Sequence, residues 1–434
     1  MRVISSEGKV VVVEDPSEDD LERIAKEGPA GVVVVAKEAE PPSPGSLHPL
    51  EVAVVKPELA EVAAAQLRAR RAQFHLEPRK AVTRRDLLRG EVFDKRPVPQ
   101  VVSQSLCLAR FGCSQCVDAC PAKAISASGG SISIDPNKCT ECGLCVSACP
   151  TGALAAPGAD DLELAMALNA ARRHGVAKIV FTCYRSNDVS ADGQYVHRLP
   201  CIGAVGAEWV LEAGAMVGEV ELRCPDPKCP VGGAGPALSA AKEAAEAFGA
   251  SVEEGEGSVK IRAKWGVEIG ALSGTRRRDY SELLKGLRRH YSGGRAPLKM
   301  YKVEVDPNRC TLCGVCFAKC PERAFDVGRD GDAVKLYLNT AKCVGCGYCA
   351  AVCPEKAIAV SKADALLPEA EEKAVDYVVR CKSCGRAFDT LKHVQAVKAK
   401  LGIKGDPEWL YLCPECRRYY TAKKMLESAL GKRG

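Results

Sequence analysis

Cys139-Thr140-Glu141-Cys142-Gly143-Leu144-Cys145-Val146-Ser147-Ala148-Cys149-Pro150 is the stretch from which the rest of the chain can be read. Three thiols at this spacing wrap one face of an iron–sulfur cube in a tight loop, and the fourth, held away ahead of a proline, reaches a second cube. The same grammar recurs at Cys310, Cys313, Cys316, Cys320-Pro321 and at Cys343, Cys346, Cys349, Cys353-Pro354. A further copy, Cys107, Cys113, Cys116, Cys120-Pro121, differs in one respect, because Leu-Ala-Arg-Phe-Gly separates its first two cysteines. These four copies hold 16 of the 24 cysteines.

The pattern resembles that of bacterial ferredoxins, in which the fourth ligand crosses to the neighbouring cluster. Crossing predicts one 4Fe-4S cluster on Cys107, Cys113, Cys116 and Cys149, and its neighbour on Cys139, Cys142, Cys145 and Cys120. The second pair is then Cys310, Cys313, Cys316 with Cys353, and Cys343, Cys346, Cys349 with Cys320. Each Cys-Pro is followed, after two residues, by a small and then a larger apolar residue (Ala124-Ile125, Ala153-Leu154, Ala324-Phe325, Ala357-Ile358), expected to shield the clusters from water. The approaches Asp135-Pro136-Asn137-Lys138 and Asp306-Pro307-Asn308-Arg309 mark the two halves as duplicates. Structural disulfides or structural zinc would leave the fourfold Cys-Pro punctuation without a reason, and zinc sites ordinarily use two separated Cys-x2-Cys halves.

The expected fold is α/β plus α+β and multidomain: a small α/β domain at 1–76, a basic linker at 77–100, ferredoxin domains at 101–158 and 297–365, a central domain with an open parallel sheet at 159–296, and a zinc-ribbon-like tail at 366–434. The first domain rests on β-branched runs at 9–14, 31–36 and 51–55 with helical stretches at 17–27 and 57–72. It has no cysteine and no phosphate loop, which points to docking or packing. No apolar run approaches the roughly 18 residues of a membrane span, and no signal-peptide pattern opens the chain, so a cytoplasmic protein is expected. Thr83-Arg84-Arg85-Asp86-Leu87-Leu88-Arg89 imitates a twin-arginine motif but lies deep in the chain without a following apolar region. Asn and Gln together number 12, a scarcity of thermolabile amides that leans toward a thermophilic source. Net charge is +6, and its densest basic patch is Arg276, Arg277, Arg278, Arg288, Arg289 and Arg295, either a solvated helix face or a dock for an acidic redox partner.

In the central segment, strand-like runs end in cysteine. Ile179-Val180-Phe181-Thr182 leads to Cys183, His197-Arg198-Leu199-Pro200 to Cys201, and Val220-Glu221-Leu222-Arg223 to Cys224, with Cys229 shortly after. Helical stretches at 204–216 and 236–249 alternate with them, and in such a sheet ligands gather beyond the carboxyl ends of the strands. Four thiolates on separate loops suit a 2Fe-2S cluster, zinc or a pair of disulfides. Phe181-Thr182-Cys183, Leu199-Pro200-Cys201-Ile202-Gly203, Val210-Leu211-Glu212-Ala213-Gly214-Ala215 and Cys224-Pro225-Asp226-Pro227-Lys228-Cys229 resemble the delta subunit of methyl-viologen-reducing hydrogenase over roughly residues 160–255. That resemblance implies a 2Fe-2S domain that passes electrons between a hydrogenase or formate dehydrogenase and the flavin subunit of heterodisulfide reductase. Ser186 stands where the family carries a second cysteine, and Pro230 where it carries a histidine.

The tail carries Cys381-Lys382-Ser383-Cys384 and Cys413-Pro414-Glu415-Cys416, two knuckles that read as structural zinc, with a rubredoxin-type iron as the rival. Taken together, the residues predict an electron-transfer subunit of a hetero-oligomeric complex. Its partners would be a flavoprotein, a hydrogenase, a formate dehydrogenase or another molybdenum or tungsten oxidoreductase. The alternative is a disulfide or sulfur-compound reductase using the central cysteines. No Rossmann fingerprint, phosphate loop or nucleophile–base pair accompanies that site, and His174 and His197 read as ordinary histidines. Nucleic-acid binding would rest on the tail and charge alone.

Overall fold

A computed structural model describes residues 2–7, 10–27, 29, 31–36, 48–71, 74, 77–78, 95–190, 193–295 and 298–431. The twin-arginine-like segment and most of the expected linker lie outside these residues. The chain forms two compact units, residues 1–299 with 364–366, and residues 300–363 with 367–434.

The first unit begins with a four-stranded sheet. β1 (Arg2–Glu7) runs antiparallel to β2 (Val10–Glu14), which is parallel to β3 (Gly31–Val35) and through it to β4 (Val52–Val55). The Val-rich runs at 10–14 and 31–35 lack strict alternation because both faces of a parallel sheet are covered. The crossover helix α1 (Glu18–Lys26) starts at a capping box, in which the Ser17 hydroxyl accepts from the Asp20 amide and the Asp20 carboxylate accepts from the Ser17 amide. Helix α2 (Ala60–Arg68) buries Val62, Ala63, Ala64 and Leu67. After the short pair β5 (Glu77–Pro78) and β6 (Lys95–Arg96), β7 (Gln100–Val101) opens the first cysteine-rich segment. That segment contains α3 (Gln115–Asp118), the hairpin β8 (Ile125–Ser128) and β9 (Ser131–Ile134), α4 (Leu144–Ala148), and β10 (Leu154–Ala155), which pairs back onto β7.

The segment after it holds α5 (Asp161–Arg173), β11 (Lys178–Cys183), β12 (Gln194–Leu199), α6 (Ala207–Val217), β13 (Glu219–Arg223), α7 (Ala234–Ala247), β14 (Ser251–Gly255), β15 (Ser258–Arg262) and α8 (Arg276–Leu287). The alternation of strands and helices predicts a largely parallel sheet. The observed sheet is mixed, in the order β12-β11-β13-β15-β14: β11 is parallel to β12 and β13, whereas β15 is antiparallel to β13 and β14. The reversal has a local cause, because Glu256-Gly257 is a turn of two residues between Gly255 and Ser258, too short for a crossover to a parallel neighbour.

Helix α5 packs against α2, and ion pairs tie its start to the segment just beyond α2. Arg70 grips Glu163 at 2.9 and 3.1 Å, and Arg71 reaches Asp160 at 2.5 Å. Asp160 also caps α5 by accepting from the Leu162 amide. The basic patch read from sequence is not a surface feature throughout, because Arg276 and Arg277 are only 5% and 7% exposed. Their guanidinium groups point into the unit, leaving Arg278, Arg289 and Arg295 as the exposed members.

The second unit pairs β16 (Met300–Val305) with β19 (Ile358–Ala363) and contains α9 (Val315–Lys319) and α10 (Tyr348–Val352). Its hairpin β17 (Phe325–Asp330) and β18 (Ala333–Asn339) continues into β20 (Ala370–Arg380) and β21 (Ala387–Thr390) as one antiparallel sheet. The tail is thus joined to the second cysteine-rich segment by strand pairing. Helices α11 (Leu391–Lys400) and α12 (Pro414–Gly431) complete it.

Candidate iron–sulfur and metal sites

The two cysteine-rich segments use one backbone device. In the run beginning at Cys139, Glu141 and Gly143 on either side of Cys142 are left-handed (φ 60° and 75°). Leu312 and Gly314 flank Cys313 in the same way, as do Gly345 and Gly347 around Cys346. Successive left-handed residues turn the chain so tightly that three sulfurs face one point. Three residues after each last cysteine the chain is left-handed again, at Lys123, Gly152, Arg323 and Lys356. That turn lets the Ala124, Ala324 and Ala357 amides donate to the Sγ of Cys120, Cys320 and Cys353 at 3.3, 3.3 and 3.4 Å. Holding a non-glycine residue left-handed costs roughly 1–2 kcal/mol, so the loops store strain that the site geometry requires.

The fourth cysteine of each run is carried across to the other run. Cys107, Cys113, Cys116 and Cys149 line one cavity with Leu108, Ile132 and Leu154. Burial, and then the neighbouring Cys149, Cys113 and Cys107 sulfurs, push Cys116 up to about 12. Cys145 is likewise raised by burial and by Cys139, Cys142, Cys116 and Cys120. In the second unit, burial together with Cys310, Cys313 and Cys353 pushes Cys316 up to about 12, the Phe317 amide opposing. Burial with Cys343, Cys346 and Cys320 does the same to Cys349. Four sets of thiols therefore crowd together, each in an apolar surround that penalises thiolates unless cations compensate them. That donor chemistry fits a cluster whose iron ions supply the positive charge. Of the eight residues expected to shield the clusters, all but Ile358 are buried.

Two arginines hold these loops from outside, and neither stands out in the sequence. Arg96, at the end of the expected linker, pairs with Glu141 and donates to the carbonyls of Pro136 (2.8 Å) and Cys139. Arg276 donates to the carbonyls of Val146 and Cys149, both at 2.7 Å, and to Asp161 at 2.8 Å. Asp161 also accepts from the Trp209 indole at 2.8 Å.

In the central domain Cys183 ends β11, Cys201 follows β12 and Cys224 follows β13, so three thiols sit at the carboxyl ends of three parallel strands. Cys229 joins them through the turn at Asp226–Cys229, and all four line one cavity. The strand β11 lies between β12 and β13, so the cavity opens where successive connections leave to opposite sides, the usual place for a ligand in such a sheet. Burial pushes Cys201 up to about 11, the Gly203 amide opposing and the Cys183, Cys224 and Cys142 sulfurs reinforcing it. Arg185 reaches Cys229 Sγ at 3.7 Å. Ser186 turns away from the cavity to bond the Asp188 carboxylate at 2.7 Å. His197 is fully buried in the sheet, donating from Nε2 to the Gly158 carbonyl at 2.7 Å, and is not part of the lining.

In the tail, the sulfurs of Cys381, Cys384, Cys413 and Cys416 all lie within 4.8 Å of one another. The Cys384–Cys413 separation is 3.8 Å, the edge of a tetrahedron with metal–sulfur bonds of about 2.3 Å. Against its burial, the amides of Cys413, Cys384 and Ser383 draw the Cys381 thiol down to about 6, while Cys416, which Ser383 alone would lower, is pushed up to about 12 by the Cys413 and Cys384 sulfurs. Four sulfurs at this mutual spacing fit a tetrahedral metal ion.

Residues 109–153 and residues 302–354 each match a family of 4Fe-4S dicluster domains. The first match begins just past Cys107, where the loop is lengthened. No curated protein matches the chain. The protein therefore carries two dicluster domains of ferredoxin type, which imply four 4Fe-4S clusters and an iron–sulfur electron-transfer role. Among the described residues, no helix is long and apolar enough to cross a membrane.

Proposed function

We propose that the chain is the wiring subunit of a cytoplasmic redox complex, with the sixteen dicluster cysteines as cluster ligands in the crossed sets given above. The grouping of Cys149 with Cys107, Cys113 and Cys116 around one cavity is the observation that carries this reading. Bound clusters would supply one-electron steps; the protein fixes their ligands, excludes water and tunes them with amide donors to sulfur. Cys183, Cys201, Cys224 and Cys229 would hold a 2Fe-2S cluster in the central domain, and the tail quartet a structural zinc. The convergence of the four thiols at one cavity beyond the strand ends supports this reading. On that reading the electron donor or acceptor is a hydrogenase, formate dehydrogenase or other molybdenum or tungsten enzyme on one side, and a heterodisulfide reductase-like flavoprotein on the other.

The test is a stopped-flow and reductive titration of the isolated chain. The wiring reading expects reversible uptake and return of electrons with viologen mediators, and no net consumption of disulfides or sulfur compounds. Sustained turnover of a disulfide by the isolated chain would replace it with the reductase reading. Purification of the native complex should bring a flavin-bearing or molybdenum- or tungsten-bearing subunit with the chain.

A further inference from the structure

The first dicluster domain and the central cysteine cavity meet at a single peptide group. The Cys142 carbonyl oxygen occupies the place where a β-carbon at Gly203 would stand, and a β-carbon at Gly233 would fall on the same oxygen and 2.9 Å from Cys201 Sγ. From the other side, Gly143, left-handed at φ 75°, would set a β-carbon 2.6 Å from the Ala204 nitrogen. Three glycines on three elements thus allow three backbones to touch at one ligand of the dicluster loop. Glu141 of the same loop lines the central cavity. Gly203 follows Cys201 in the turn beyond β12, and Gly233 immediately precedes α7. An ordinary carbon-to-carbonyl approach is about 3.3–3.6 Å, so a methyl group at either position forces these walls apart by about 1 Å or more.

We infer that Gly203 and Gly233 are positioning residues that hold the Cys120/Cys139/Cys142/Cys145 set and the central set Cys183/Cys201/Cys224/Cys229 against a shared wall, the Cys142 peptide, as one coupled pair of redox centres. The inference rests on the proposed reading of both sets as cluster ligands. It adds a direction to the wiring: of the two cubes of the first dicluster domain, the one with Cys142 exchanges electrons with the central domain, and the one with Cys107 does not. An electron crossing here oxidises one centre as it reduces the other, with no bond made and no proton moved.

The test is EPR of the reduced full chain, with iron, sulfide and zinc determined on the same samples. In the wild type, the central signal should show spin–spin broadening and fast relaxation from the neighbouring cube. Gly233→Ala and Gly203→Ala should keep their iron but relax more slowly, toward an isolated centre. Gly270→Ala, at an exposed loop glycine that lines neither cavity and where a β-carbon meets nothing within 4 Å, should behave as wild type. Should the glycine variants fail to fold, Cys120→Ser, which removes a ligand of the adjacent cube, should abolish the coupling while Cys107→Ser leaves it. A wild-type central signal that relaxes as an isolated centre, or a Gly233→Ala signal identical to wild type, overturns the inference while leaving the cluster reading intact. Zinc in place of iron in the central set overturns both, and metal analysis distinguishes that outcome.

Discussion

Replacing Arg276 by methionine tests the idea that the dicluster loop is held from behind by a buried cation. The Arg276 side chain is 4% exposed and its partner Asp161 10%. It makes two bonds to the carbonyls of Val146 and Cys149 besides the ion pair. Methionine keeps much of the volume but removes the guanidinium from the Asp161 carboxylate, which keeps the Trp209 indole as donor, and from the Cys149 carbonyl. Removing one partner of a buried pair costs about 3–5 kcal/mol. With a urea slope of about 3 kcal/mol/M, the unfolding midpoint should fall by roughly 1–1.7 M. The assay is anaerobic urea titration followed by tryptophan fluorescence and by bleaching of cluster absorbance. Arg276→Lys keeps the charge without the fork and should lose less. Arg276→Met with Asp161→Asn removes both charges and should recover much of the loss. Arg289→Met, on an exposed arginine of the same basic run, should stay within about 0.5 kcal/mol of wild type. If Arg276→Met unfolds with Arg289→Met, Arg276 does not hold the loop and the reasoning fails.

Three further outcomes follow from the geometry. Cys149→Ser should damage the cluster held by Cys107, Cys113 and Cys116 and spare the cube held by Cys139, Cys142 and Cys145; loss of only the latter, by EPR, would refute the crossing. Lys123 is exposed and left-handed at φ 50°, so Lys123→Gly should be neutral or stabilising by up to about 1 kcal/mol, and a marked loss in thermal unfolding would show that no strain is stored there. Burial holds His197 below its ordinary 6.5, the bond to Gly158 opposing. The unfolded chain therefore takes up a proton that the folded chain does not. Stability is full above about pH 6.5 and falls below it by up to about 1.4 kcal/mol per pH unit, a slope that His197→Gln should reduce in unfolding titrations between pH 7 and 5.

Much of the site was legible because cysteine spacing is a direct record of loop geometry. The strand-end position of Cys183, Cys201 and Cys224 could also be read, since each follows a β-branched run. The arginine supports could not, because Arg96 and Arg276 act across 43 and 127 residues on carbonyl groups of the cluster loops. Nothing in the local pattern separates them from surface arginines, and Arg276 stands in a basic run that reads as a surface patch. The left-handed positions did leave a signal: Gly143, Gly314 and Gly347 recur after the second cysteine of each regular run, and Gly152 stands where the other copies have Lys123, Arg323 and Lys356. In the fold, β1 and the long β20 are not legible in the sequence. The run Ala370–Arg380 carries Glu371, Glu372, Lys373 and Arg380, and buries Asp376 beneath the Lys392 amide, so strand pairing outweighs poor intrinsic strand preference.

The central claim is that four thiol sets hold cubes, a fifth holds a smaller cluster and the tail holds zinc. Anaerobic determination of iron, acid-labile sulfide and zinc on the purified full chain tests it most directly. The account predicts about 18 irons and about one zinc per chain, with a 2Fe-2S signal among the cubane signals on reduction. Zinc in excess of iron, or iron without matching sulfide, would contradict it.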